Sequence, residues 1–200
     1  MKRKRTTRIK HFLRDNYRLL LFLLLPVSGI VCGMCLYPAL RESGWSTLVA
    51  VEPIKGGFAA VLSQWSRCLF QPLLLLVVLF LAGLSVCGLP LSLLVPLFWG
   101  LGLGVVQAAE FGQGFMGLAV SAAVFLPHSV METVALLMAA AECFRMSWRF
   151  ITVLSPRLAR CGGLWPEFRL YSVRYLLLCL LLFAAAALDV IMRLLCARWL

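Results

Sequence analysis

The longest uncharged stretch of this sequence runs for 42 residues between Arg67 and Glu110. As a single helix it would be about 63 Å long, which is twice the roughly 30 Å hydrocarbon core of a bilayer. A soluble domain does not accommodate such a stretch, so it predicts two membrane spans joined by a turn. The turn is expected at Gly88-Leu89-Pro90, because glycine and proline favour a reversal of the chain.

The amino-acid composition extends this conclusion to the whole chain. Of its 200 residues, 62% are apolar and 14% are charged, whereas a soluble domain averages about half apolar and about a quarter charged. Such a composition excludes a disordered chain, which needs low hydrophobicity, and also a small secreted disulfide scaffold. The eight cysteines lie mostly in or beside apolar runs, where a free thiol acts as a small packing residue.

We therefore expect an all-α fold, namely a polytopic membrane helix bundle with about five transmembrane helices and a broken fourth span. A basic cytoplasmic tail, 1–18, precedes a single membrane domain, 19–200. The fourth span contains Pro127, whose ring removes a helix hydrogen bond, so this span is expected to break or kink there, with a re-entrant pair of half helices as the alternative. The expected spans are about 19–40, 70–87, 90–109, 113–141 and 175–195.

The basic residues are unevenly distributed along the chain. The formal net charge is +11, and of the 19 lysines and arginines eight fall in residues 1–18 and six in residues 145–174. Basic clusters beside membrane spans mark the cytoplasmic face through the positive-inside rule. We therefore expect the N-terminus and the 145–174 loop in the cytoplasm, the C-terminus outside, the lipid bilayer as a partner and no nucleic acid. Residues 58–69 are expected to form an amphipathic helix on the outer surface.

Polar side chains within the apolar segments are the candidates for chemistry. The chain contains two histidines, His11 and His128, and neither has the second histidine or the paired cysteines of a zinc site. We expect no catalytic residue, no metal and no cofactor, and hence no enzyme. His128 and Glu132 stand one helical turn apart just after Pro127, which leaves two interpretations open. They form a structural pair that satisfies freed backbone groups, or a site for a partner, an ion or a proton.

Two other carboxylates have simpler explanations. Glu142 lies three residues before Arg145, and Asp189 lies four residues before Arg193. At these spacings oppositely charged side chains pair along one helix. Both pairs are therefore expected to be local and close to a membrane surface.

Small residues form stripes on two of the predicted spans. Gly100, Gly104 and Ala108 share one face of the third span, and Gly29 and Gly33 share a face of the first. In lipid, small residues allow two helix backbones to approach closely. These faces are expected to pack inside the subunit, with contact to another membrane protein or to a second copy of the chain as the alternative.

Two segments of the chain carry a family resemblance. Residues 79–94 read LFLAGLSVCGLPLSLL, continue with LFWG at 97–100 and Gly104, and together resemble the stage II sporulation protein M family. Residues 125–132, FLPHSVME, are similar to the family's Pro-His or Pro-Gln segment. The chain departs from the family at Trp99, where lysine is common, and at Ser129, where glycine or asparagine is common. The candidate structural or partner motif comprises Gly88, Pro90, Gly100, Gly104, Pro127, His128 and Glu132.

The resemblance implies a role in bacterial endospore formation. Members of the family act at engulfment, when the mother-cell membrane moves around the forespore. They serve as noncatalytic scaffolds for two peptidoglycan-degrading partners, the stage II sporulation proteins D and P. By this resemblance we expect a protein of the bacterial plasma membrane, in the mother-cell membrane at the septum. The alternative from the residues is a small permease or transporter subunit with an intramembrane ion or proton site at Glu110, His128 and Glu132.

Overall fold

The computed structural model of the chain describes residues 17–42, 58–112, 114, 125–154 and 164–199. Within these ranges the backbone forms five α-helices and no β-strand. The all-helical membrane bundle expected from the sequence is therefore confirmed. The helices are α1 (Tyr17–Glu42), α2 (Phe58–Gly83), α3 (Gly88–Phe111), α4 (Leu126–Leu154) and α5 (Leu164–Trp199).

Four of these helices are long and apolar enough to cross a bilayer. The qualifying segments are Phe22–Leu40, Ala59–Gly83, Gly88–Phe111 and Trp165–Leu195. Helix α4 has 29 residues and is long enough, but polar side chains such as His128, Glu132 and Glu142 lower its hydropathy. It occupies the centre of the bundle, where it packs against each of the other four helices. A less apolar span is tolerated there because its polar face is covered by protein rather than lipid.

The helices alternate in direction. Gly29 on α1 lies against Gly100 on α3, and Gly33 lies against Gly104, so these two helices are parallel. Side chains near the start of α4 contact the end of α5, and those near the end of α4 contact the start of α5, so this pair is antiparallel. Cys68 on α2 contacts Asp189 in the same antiparallel sense. Helices α1, α3 and α5 thus run one way and α2 and α4 the other, as five crossings require.

Side chains from α4 and α5 donate hydrogen bonds to the backbone at the turn between α2 and α3. Residues 84–87 form the turn, directly before the predicted Gly88-Leu89-Pro90. The Tyr171 hydroxyl donates to the carbonyls of Leu79 and Phe80 at 3.3 and 3.0 Å. The Ser147 hydroxyl donates to the next carbonyls, those of Ala82 and Gly83, at 3.4 and 3.3 Å. Carbonyls in the last turn of a helix lack helical partners, and in a bilayer the protein must supply them.

Two glycines make these contacts possible. A Cβ atom on Gly83 would lie 2.2 Å from the Tyr171 hydroxyl oxygen, and one on Gly88 would lie 2.0 Å from the Ser147 Oγ. A larger residue at either position would displace the Tyr171 or Ser147 hydroxyl, and a Cβ atom on Gly88 would also lie 2.5 Å from the Ala82 carbonyl oxygen. Pro90 is exposed and lies in the first turn of α3, where a missing N–H leaves no helix bond unmade. Of the two predicted turn residues, Gly88 is therefore the one engaged in packing.

Several helix ends differ from the predicted spans. The amphipathic segment at 58–69 is the first part of α2 and not a separate surface helix. The charged segment at 145–174 is helical at both ends, since α4 continues to Leu154 and α5 begins at Leu164. Helices keep their hydrogen bonds beyond the hydrocarbon core, so the first charged residue does not mark where a helix stops. Two ion pairs join these extended ends and stabilise them, namely Arg149–Glu167 and Arg174–Glu142.

Part of the predicted fourth span lies outside the described residues. Helix α4 begins at Leu126, which places Pro127 in its first turn, a position that proline tolerates well. Residues 113 and 115–124, where a broken or re-entrant half would lie, are not among those described. Most of the basic tail, at 1–16, and residues 43–57 and 155–163 also fall outside them.

Helices α1 and α3 meet through the two glycine stripes. A Cβ atom on Gly29 would lie 2.3 Å from the Leu97 carbonyl oxygen, and one on Gly33 would lie 2.2 Å from that of Leu101. From the other side, a Cβ atom on Gly100 or Gly104 would lie 2.2 Å from a backbone oxygen of α1. The backbones are thus in direct contact, as the small-residue faces predicted for packing inside the subunit.

The glycine contact can be tested against a control glycine of the same helix. Gly104→Leu should separate α1 from α3 and destabilise the protein by about 1 to 3 kcal/mol, because backbone atoms cannot yield as a flexible side chain would. Gly102→Leu should have little effect, since nothing lies within 4 Å of a Cβ at that position. Thermal unfolding in detergent and accumulation in the membrane measure both. Equal behaviour of the two variants would refute the contact.

The alternating directions predict that the two chain termini lie on opposite sides of the membrane. A reporter that is active only in the cytoplasm should be silent when fused after Leu200. The same reporter fused after Ser155, just past the end of α4, should be active, because residues 145–174 carry six arginines. Activity of the Leu200 fusion would mean an even number of crossings.

Candidate functional site

A fully buried carboxylate, Asp189, lies near one end of the bundle. Its Oδ2 atom accepts a hydrogen bond from Arg193 Nε at 2.7 Å and another from the Cys68 thiol at 3.1 Å. Its Oδ1 atom lies 3.2 Å from His128 Nδ1. No hydrogen bond of good geometry reaches Oδ1 from the described residues, so the histidine contact is mainly electrostatic. Asp189 thereby connects α2, α4 and α5.

Two more side chains complete this group. Gln64 donates a 3.4 Å hydrogen bond to the Cys68 sulfur one turn further along α2. Glu132 follows His128 by one turn of α4, is 5% exposed, and lies close enough to Asp189 for their charges to interact. We refer to Gln64, Cys68, His128, Glu132, Asp189 and Arg193 as the Asp189 cluster.

Electrostatics accounts for the arrangement of the Asp189 cluster. Removing a carboxylate from water costs several kcal/mol unless charged and hydrogen-bonding partners replace the solvent. Arg193 supplies a positive charge from the next turn of the same helix, and Cys68 adds a donor from another helix. A protonated His128 would add a second positive charge beside Asp189. The Asp189 cluster therefore balances the buried Asp189 charge with groups from three helices.

Glu110 is a second buried acid at the same end of the bundle. It lies at the end of α3, is 3% exposed, and its Oε1 atom has no hydrogen-bond partner among the described residues. Arg193 is near enough for their charges to interact. Glu110 directly follows the predicted third span, 90–109, and its side chain is buried in the protein.

The predicted pair His128 and Glu132 is buried in the first two turns of α4. His128 lies 3.2 Å from Asp189 on α5, and the Glu132 carboxylate lies near enough to repel that of Asp189. From the sequence, Asp189 is expected to form only a local pair with Arg193. That local pair exists, but it is part of a larger group. The number of crossings could have indicated this contact, because it decides which helix ends lie on the same side of the membrane. The start of the fourth span and the end of the fifth lie at the same membrane side, and both carry ionisable residues.

The two positions that depart from the family pattern belong to one hydrogen-bonded chain. Trp99 donates from Nε1 to the Thr133 hydroxyl oxygen at 3.2 Å, and Thr133 in turn donates to the Ser129 carbonyl at 2.7 Å. The Ser129 hydroxyl donates to the Leu126 carbonyl at 3.1 Å. Trp99 therefore ties α3 to α4 through Thr133, whereas the hydroxyl bond of Ser129 stays within the first turn of α4.

The described residues contain no group of three histidine, cysteine or acidic side chains that could hold a metal ion. The chemistry that the cluster itself supports is ion pairing and proton exchange. Both depend on the buried acids and on His128.

A sequence model of the stage II sporulation protein M family matches residues 19–190. The chain belongs to this family. It is therefore a membrane protein related to sporulation. No curated protein and no solved structure matches the chain. The matched range contains the sealed turn at 84–87 and the Asp189 cluster up to Asp189 itself, while Arg193 lies three residues beyond it.

Removing the charge of Asp189 alone should destabilise the protein more than removing the charges of Asp189 and Arg193 together. Asp189→Asn should destabilise the protein by about 3 kcal/mol, because it leaves the Arg193 guanidinium buried without its counter-charge. The double variant Asp189→Asn with Arg193→Gln should be less destabilised than the single one. Glu167→Gln, which removes the more exposed pair with Arg149, should cost less than about 1 kcal/mol. Thermal unfolding in detergent compares all three, and a double variant no more stable than Asp189→Asn alone would exclude a coupled pair.

Proposed function

We propose that this protein is a noncatalytic membrane scaffold that holds peptidoglycan-degrading enzymes during engulfment of the forespore. The observation that carries the proposal is the family match over residues 19–190, nearly the whole chain. The proposed partners are the stage II sporulation proteins D and P, which the family resemblance suggests. The proposed site of action is the mother-cell plasma membrane at the septum.

The construction of the bundle supports a scaffold. Backbones touch at Gly29, Gly33, Gly100 and Gly104, and side-chain donors from α4 and α5 seal the turn between α2 and α3. The polar groups of the Asp189 cluster connect three helices. Such contacts fix the helices relative to one another, and a fixed arrangement is what a platform for partners needs.

The proposed orientation has the N-terminus in the cytoplasm. Fourteen of the 19 basic residues lie in the tail or in residues 145–174, and alternating helix directions bring the start of α1 to the same end as the arginines of α4 and α5. The Asp189 cluster then lies near the outer surface. Partners that act on the cell wall would approach from that side.

A second candidate function is a proton or ion site within a transport protein. The specific observation in its favour is Glu110, whose Oε1 atom is buried and unpartnered among the described residues. Glu132 is buried nearby on α4. Ionisable groups at membrane depth mark ion pathways in many transporters. In that case the titratable groups themselves, and not only their shape, would be required.

One experiment separates the two functions. The gene is deleted, and sporulating cells are imaged with the wild-type gene or with the His128→Gln and Glu132→Gln double variant restored. Deletion should stall the migrating membrane at the septum. The double variant should restore most engulfment, because amides keep hydrogen-bonding capacity at both positions while removing the titratable groups.

Membrane accumulation of the double variant is measured in the same cells as a control. A normally abundant double variant that fails to support engulfment would count against scaffolding and favour the proton site. Normal engulfment after deletion, combined with altered ion or solute flux, would reject the scaffold outright. Copurification of the two proposed partners with the wild-type protein is the direct measure of the scaffold.

A further inference from the structure

A cleft of about 230 Å³ opens between the end of α4 and the start of α5, far from the Asp189 cluster. Arg145 and Arg149 line it from α4, while Glu167 and Leu170 line it from α5. Tyr171, which is 1% exposed, forms part of its floor. The cleft thus has two arginines on one wall, and on the other it has the apolar Leu170 beside Glu167, whose charge is paired with Arg149.

The arginines of the cleft retain hydrogen-bonding capacity. Arg145 pairs with Glu142, and Arg149 pairs with Glu167. Each guanidinium carries five N–H donors, so a single carboxylate partner leaves several of them available. Their side chains are 49% and 53% exposed, which makes these donors accessible from outside.

The charge around the cleft is positive. The two helix ends carry four arginines, at 145, 149, 169 and 174, and two glutamates, at 142 and 167. Arg145 and Arg149 are one turn apart on α4, where their side chains can reach one anion together. Guanidinium groups match the oxygen geometry of a phosphate through forked hydrogen bonds. This chemistry selects a phosphate group over a neutral ligand.

The position of the cleft along the helices places it at the level of lipid headgroups. Arg145 follows His128 by 17 residues, or about 26 Å of helix, which is close to the thickness of the hydrocarbon core. Trp148 and Trp165 flank it and are 56% and 74% exposed, as tryptophans at a membrane interface commonly are. Leu170 in the cleft and Leu177, two turns further on the same face of α5, are both exposed apolar residues.

We propose that this cleft binds the phosphodiester headgroup of an anionic phospholipid of the phosphatidylglycerol class. Arg145 and Arg149 hold the phosphate oxygens, and an acyl chain lies along α5 past Leu170 and Leu177. A free phosphate would make only the contacts with the arginines and none with the leucines, so the cleft favours a lipid over free phosphate. The site does not depend on the proposed function.

Native mass spectrometry of the purified full-length protein in neutral detergent can test the site. The protein is titrated with phosphatidylglycerol and, separately, with phosphatidylcholine of the same acyl chains. We expect bound phosphatidylglycerol at low lipid concentration and at least roughly tenfold weaker binding of phosphatidylcholine. The double variant Arg145→Gln with Arg149→Gln should bind phosphatidylglycerol at least roughly tenfold more weakly than wild type.

Two variants act as matched controls. Arg169→Gln removes an exposed arginine of α5 that does not line the cleft, and it should bind the lipid as wild type does. The double variant Arg145→Lys with Arg149→Lys keeps both positive charges. It therefore shows whether the glutamine variant loses binding only because it misfolds. The lysine variant should lose part of the affinity, since an ammonium lacks the fork of a guanidinium.

Each contrary outcome overturns the site. An equal loss in Arg169→Gln, or full affinity in the lysine variant, would reduce the effect to general surface charge. Unchanged binding in the double glutamine variant would place the lipid elsewhere. If millimolar inorganic phosphate displaces the lipid at a constant lipid concentration, the ligand is a free anion and not a lipid.

Discussion

A carboxylate with no exposed surface in a membrane bundle constrains everything packed around it. The Asp189 carboxylate has lost its contact with water, and Arg193, His128 and Cys68 replace the solvent around it. Three helices contribute these groups, so their relative heights are fixed together. A shift of α4 by one turn, about 5.4 Å, would carry His128 out of contact. The same requirement explains why the least apolar helix lies in the centre, since only there can its polar side chains find partners.

At the opposite end of the bundle, buried backbone carbonyls likewise receive hydrogen-bond partners from other helices. The last carbonyls of α2 accept hydrogen bonds from Tyr171 and Ser147, and Gly83 and Gly88 leave the space that these side chains need. Helices α2, α4 and α5 are therefore fixed at both ends by polar contacts. Helix α1 is held differently, because it packs mainly against α3 through touching glycines. Its attachment depends on shape and on dispersion forces, which have no long-range component.

Local features of the fold were predictable from the sequence, whereas contacts between distant segments were not. Uncharged runs revealed the membrane spans, Gly88 revealed the turn, and the spacing of Gly100 and Gly104 revealed a packing face. The sequence predicts a separate helix at 58–69 and a fifth span from 175, and it does not predict that α2 is continuous from Phe58 or that α5 begins at Leu164, because a helix can continue past charged residues beyond the hydrocarbon core. Asp189 was paired correctly with Arg193 at four residues' distance. Its contacts with His128 and Cys68 depend on how three helices pack, and periodicity within one helix contains no such information.

The distribution of polar residues along the bundle bears on the choice between scaffold and pathway. Between Glu132 and Glu142 the buried face of α4 consists of Ala135, Leu136, Ala139 and Ala140. The facing part of α5 is equally apolar, with Leu178, Leu182, Ala185 and Ala186 buried. In the described residues an apolar layer of roughly 10 Å thus separates the Asp189 cluster from the polar groups at the other end. Along these faces of α4 and α5, none of the described buried residues between the two ends is an acid or a histidine. The cluster is therefore suited to holding helices together, or to responding to conditions on one face of the membrane, rather than to moving charge across it.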